Sequence, residues 1–112
     1  MKHEDERGVI EDLLVTENGA VTRITFKPGA VRGNHYHKET VQHDFILKGK
    51  LVCYSGNKRF EVMAGEMVEH KPLIPHAYKA LEESEMVSCV YGPRKGEDYS
   101  KDTYKLETPL CS

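Results

Sequence analysis

The chain lacks several features that would assign it quickly. No apolar run approaches the roughly 20 residues of a membrane-spanning helix. Positive charge is not in excess: the formal net charge is −2, which offers no electrostatic footing for nucleic acid or an anionic membrane. Cysteine is scarce. Cys53, Cys89 and Cys111 are widely spaced and form no C-x-x-C pair, so a disulfide scaffold is not expected. Cys53 and Cys89 lie in apolar, strand-like runs and are expected as small buried residues, and Cys111 as a loose tail thiol. None of the three is given a catalytic role. No stretch holds a helical period over three turns, and no glycine-rich loop is placed to cradle a phosphate. The start, Met1 to Arg7, is acidic and polar without a signal-peptide core, which points to the cytoplasm.

What is present is a chain of 112 residues, 30% of them charged, a length that suits one domain over 1–112 with a modest core. Short runs rich in β-branched and aromatic residues recur between turn signals. Residues 1–8 read as a frayed start, and Val9 to Val15 as a strand or a short helical turn. Asn18-Gly19 is a strong hairpin signal. Strands are then predicted over Val21–Phe26, Ala30–His37, Gln42–Leu47, Leu51–Tyr54, Arg59–Met63, Met67–His70, His76–Leu81 and Met86–Tyr91. Residues 94–112 read as charged and turn-rich, with Tyr99 and Tyr104 available to pack on a neighbour. Many short strands with frequent turns indicate an all-β sandwich or barrel.

The chemistry concentrates in Arg32-Gly33-Asn34-His35-Tyr36-His37-Lys38 and the nearby Gln42. Side chains alternate faces along a strand, so His35 and His37 project to one side and Tyr36 to the other. Paired neutral imidazoles suit a divalent metal or an acid/base pair. His76 is a third candidate if the fold returns it to the pair. Gln42 would be a neutral fourth ligand, and Asp44, on the same strand face, the nearest carboxylate for a base or a supporting partner. His43 should face outward. His70 reads as a core or supporting histidine rather than a ligand. Tyr54 and Tyr78 could line a pocket or simply pack. His43, Phe45 and Leu47 would form an outer face suited to a homodimer.

The spacing Gly29, His35-x-His37, Gln42, Gly49 resembles the first motif of the cupin family. Gly65, Pro72 and His76 resemble its second motif more loosely: Lys71, Leu73 and Ala80 replace the usual proline, glycine and asparagine. The resemblance implies a cupin-type double-stranded β-helix, a jelly-roll barrel that carries the two motifs into one site. It further implies a divalent metal ion (Zn, Mn, Fe or Ni) held by His35, His37 and His76, with Gln42 standing where the family has glutamate. That replacement removes one negative charge. It leaves either a three-histidine site of the kind that suits zinc or a metal-free site.

The run Arg32 to Lys38 with Gln42 is also similar to cupins that act on nucleotide sugars, and Glu97-Asp98-Tyr99 with Asp102 resembles the end of that group faintly. In that narrower likeness His35 and His37 act as acid and base without a metal, and Arg32 and Lys38 could contact a sugar or phosphate. Three functions therefore stand as expectations. The first is a metal-binding cupin acting on a small polar metabolite or sugar, with His35, His37 and Asp44 as catalytic groups. The second is a metal-free nucleotide-sugar isomerase or epimerase. The third is a non-catalytic cupin that binds a small ligand.

Overall fold

A computed structural model describes residues 2–93 and 101–112. The predicted Glu97, Asp98 and Tyr99 features lie outside the described residues. Among those described there is no helix long and apolar enough to cross a membrane. The elements are β1 (Lys2–Asp5), β2 (Gly8–Val15), β3 (Gly19–Phe26), β4 (Val31–Tyr36), β5 (Val41–Lys48), β6 (Lys50–Ser55), β7 (Lys58–Met63), β8 (Met67–His70), β9 (His76–Ala80), β10 (Ser84–Tyr91) and β11 (Tyr104–Lys105).

They form two antiparallel sheets, ordered β1-β2-β3-β10-β5-β8 and β11-β4-β9-β6-β7. This is the all-β architecture expected from the spacing of short strands and the jelly roll that the cupin resemblance implied. The Asn18-Gly19 hairpin joins β2 to β3, with Thr16 N–H donating to the Gly19 carbonyl at 2.8 Å. Two local expectations are corrected. Residues 2–5 are not frayed, because β1 pairs with β2 from Lys2↔Glu11 to Asp5↔Gly8. Cys111 is buried rather than loose, held through its backbone by the Asn34 side chain. Cys53 is fully buried as expected, but Cys89 is only half-buried, on the outward side of β10.

Alternation along the strands makes the interior. Phe26, Ile46, Leu51, Val62 and Met86 point inward and pack together. Each fully buried side chain of this size contributes about 1.5–3 kcal/mol. The inward rows change character along their length. On β5 the row runs from Gln42 and Asp44 to Ile46; on β9 it runs from His76 through Tyr78 to Ala80. The barrel thus has a polar end and an apolar end. Outward from β5, Phe45 and Leu47 are exposed, while His43 meets Glu69 at 3.1 Å.

Candidate metal centre

Two cross-strand pairs bring the polar residues together. In the β4–β9 ladder His35 lies opposite His76, past a bulge between Gly33 and His35. In the β5–β8 ladder Gln42 lies opposite His70. The bulge explains a glycine in the sequence. Gly33 has φ +96°, and a Cβ there would lie 2.9 Å from the His76 carbonyl oxygen, so only glycine lets β4 approach β9 this closely. Asn34 follows with φ 58°, which its short polar side chain tolerates.

The ring centroids of His35 and His37 are 5.0 Å apart, those of His35 and His76 4.7 Å, and those of His37 and His76 5.3 Å. One nitrogen from each of the three rings lies within 4.8 Å of the others. His76 is 2% exposed, and neither of its ring nitrogens has a hydrogen-bond partner. Burial is the main cause that holds its pKa well below the ordinary histidine value, helped by His70, His35 and His37; the Ile74 backbone opposes weakly without reaching either nitrogen at hydrogen-bond geometry. His76 is therefore neutral and offers a free lone pair.

Asp44 dictates the orientation of Gln42. The Gln42 amide nitrogen donates to both Asp44 oxygens, at 3.0 and 2.9 Å. The amide oxygen is thereby turned toward His37 Nε2, 3.2 Å away. On its other side His37 Nδ1 lies 2.8 Å from the Asp102 carbonyl oxygen. A neutral imidazole carries one N–H and can donate to only one of the two oxygens. The shorter contact is to Asp102, which leaves the Nε2 lone pair facing the Gln42 oxygen.

Behind the histidines is a fully buried network. Tyr78 donates its hydroxyl proton to Asp44 at 2.6 Å, so its oxygen accepts from His70 Nε2–H at 2.6 Å. His70 Nε2 is also 3.2 Å from Asp44. The His70 ring stacks on His76, centroids 4.1 Å apart. Burial alone would raise the Asp44 carboxyl, but hydrogen bonds from His70, Tyr78 and Ser88 and the field of His70 hold it below its ordinary value. Burial, then Asp44, keeps the Tyr78 phenol well above its own. Burial likewise pushes the Cys53 thiol up to about 12, consistent with no nucleophilic role.

A cavity of about 260 Å³ opens onto His35, Gln42, His76 and Tyr78, with Phe26 and Met86 as apolar wall. Two cations, Arg7 and Arg32, also line it. Arg32 is 7% exposed, donates to the Thr25 carbonyl at 3.1 Å and lies 5.4 Å over the Phe26 ring, while its Nε has no partner. Burial, then the charge of Arg7, pushes its pKa down to about 10. Tyr54 stays outside, accepting from Arg59, and Tyr36 turns away to stack on Tyr104.

The structure therefore brings His35, His37, His76 and Gln42 together and sets Asp44 behind Gln42 with both oxygens engaged. Sequence reasoning named Asp102 only in the faint tail resemblance and did not place it against His37. Its partners lie more than sixty residues away, and no local spacing signals them.

A β-barrel with three imidazoles converging near one cavity defines a class of histidine-site barrel proteins. The family model described as cupin domain matches residues 22–91, and the chain belongs to the cupin family. No curated protein sequence matches it. Among solved structures it is similar to the capsular polysaccharide assembling protein CapF from Staphylococcus aureus, with 25% identity and a TM-score of 0.77 over 96% of this chain and 32% of that chain. It is similar in fold to a variant of oxalate decarboxylase from Bacillus subtilis, with 17% identity and a TM-score of 0.79 over 95% of this chain and 30% of that one. A conserved protein with a double-stranded β-helix domain from Klebsiella pneumoniae matches at 21% identity and a TM-score of 0.74, over 84% of each chain. The chain spans about a third of the length of the CapF and oxalate decarboxylase chains it matches.

Proposed function

We propose that this chain, as one domain over 1–112, is a small metal-binding cupin that holds a divalent ion through His35, His37 and His76, with the Gln42 amide oxygen adjoining. The observation that carries the reading is His76: a buried imidazole with both nitrogens unpartnered, beside two other imidazoles. Leaving such a group unsatisfied costs about 1–3 kcal/mol, a cost that a bound cation removes. A bound ion would supply Lewis acidity toward a substrate oxygen or acidify a water.

The chain's own residues would do the rest. Asp44 orients Gln42, and His70 backs His76 by stacking. Arg32, which lines the cavity, would bind an anionic group of a small polar metabolite or sugar. Phe26 and Met86 exclude water from the cavity wall. The exposed Phe45 and Leu47 would meet a second copy in a homodimer.

Metal content by mass spectrometry, on protein purified without a histidine tag, tests the reading. Wild type should carry close to one ion per chain and His76→Ala essentially none, with the two proteins folded alike by circular dichroism. Full metal in His76→Ala, or an empty wild type that also ignores added zinc, would overturn it. One observation favours a second reading, the metal-free nucleotide-sugar isomerase. His37 lies between two carbonyl oxygens and satisfies both only as an imidazolium, the form a general acid needs.

A further inference from the structure

The C-terminal segment returns to the site and is tied down along its length. β11 pairs with β4, setting Tyr104 opposite Tyr36 and Lys105 opposite His35. Asn34 accepts from Leu110 N–H and Cys111 N–H and donates to the Cys111 carbonyl, at 2.9, 3.2 and 2.9 Å. Lys38 Nζ sits 4.3 Å over the Tyr104 ring. At the front of this strap is Asp102. Its carboxylate accepts from three successive backbone N–H groups, Lys38 at 3.1 Å, Glu39 at 3.0 Å and Thr40 at 2.8 Å, and from the Thr40 hydroxyl at 2.8 Å. Asp102 also has φ 48°, a conformation that costs most residues free energy and aspartate less.

We propose that Asp102 is a positioning residue for the site: its carboxylate anchors the strap on the 38–40 amides so that its backbone carbonyl holds the His37 ring by Nδ1–H and leaves Nε2 facing the Gln42 oxygen. A loop cap alone would need only the carboxylate. Here one residue serves both purposes, and the left-handed backbone sends the carboxylate to the loop and the carbonyl to the imidazole. Imidazoles that bind metals commonly have their second nitrogen held by such an oxygen, which sets tautomer and ring angle. The proline-punctuated loop grips His37 from another direction, with Leu73 N–H donating to the His37 carbonyl at 2.6 Å. The backbone and ring of His37 are thus fixed separately, and Asp102 supplies the ring constraint. The consequence for metal affinity rests on the proposed function, with His37 ligating through Nε2, the nitrogen that the Asp102 carbonyl leaves free.

The test uses the full chain as wild type, Asp102→Ala and Asp102→Asn. Nitrogen NMR of the metal-free proteins reports the His37 tautomer, and zinc titration by calorimetry reports affinity. Wild type should show one tautomer, protonated on Nδ1. Asp102→Ala should show a mixture and bind zinc about 10–100-fold more weakly, with the signals of the barrel core unmoved. Asp102→Asn keeps a side-chain oxygen and the tolerance of the left-handed backbone, so it should recover most of the tautomer and affinity. An unchanged tautomer and affinity in Asp102→Ala would overturn the proposal. So would a loss in Asp102→Asn as large as in Asp102→Ala, because the anchoring geometry would then not be what matters. A wild type that ignores zinc yet whose His37 tautomer depends on Asp102 would sink the metal reading and uphold the positioning role.

Discussion

The imidazoles at the cavity and the cluster behind them are built from similar residues and behave oppositely. In the rear cluster Asp44, Tyr78 and His70 are fully or nearly fully buried and bonded to one another, with His70 Nδ1 left without a partner. His76, equally buried and stacked directly on His70, has no partner at either nitrogen. A buried imidazole with one nitrogen bonded is half-satisfied, whereas one with neither nitrogen bonded carries the larger cost, which a bound cation would offset. Gln42 joins the two regions. Its nitrogen belongs to the rear cluster and its oxygen to the site.

The largest effect should come from breaking the mutually bonded cluster. Asp44→Ala strands His70, Tyr78 and the Gln42 amide in the interior and should cost about 3–5 kcal/mol, read by denaturant unfolding. His76→Leu in the same assay, with both proteins stripped of metal, should be neutral or stabilising, because it replaces an unpartnered imidazole with an apolar side chain. Equal losses in the two variants would erase the distinction between the regions.

Gln42→Glu probes the junction. It sets a second carboxylate beside Asp44 where two N–H···O bonds now stand. Metal-free protein should lose about 1–3 kcal/mol and one carboxyl should titrate abnormally high; saturating zinc should recover the loss. If the variant unfolds at the same denaturant concentration as wild type without metal, Asp44 does not govern position 42.

The smallest effect concerns the strap. Burial raises the Asp102 carboxyl, but hydrogen bonds from Glu39, Thr40 and Lys38 overcome it, so its folded pKa lies below the ordinary 3.8. A depressed carboxyl contributes stability above its unfolded pKa and loses it as pH falls through the folded value. The Lys38, Glu39 and Thr40 amide signals should therefore hold steady down to about pH 4 and shift toward exposed values below it. A shift centred above pH 5 would contradict this placement of the carboxylate.

Much of the fold was legible in advance. Period-two patterning, Asn18-Gly19 and the other turn signals marked nearly every strand, because alternation and turn chemistry are local properties. Asp44's inward direction was legible for the same reason. Its surroundings were not: they depend on which strands lie alongside β5, and the ladders place β8 and β10 there. Cys111 was misread because the residue that holds it, Asn34, is 77 positions away.

By itself the sequence determined that the chain is an all-β domain of short strands and that His35 and His37 share one face, since side-chain direction along a strand follows from backbone geometry alone. Only the tertiary structure decided that His76 pairs across from His35, that Asp44 turns Gln42's oxygen toward the site, and that Asp102 returns to hold His37. Those outcomes depend on register and on competition for hydrogen bonds between residues distant along the chain, and both are resolved only when the two sheets close on each other.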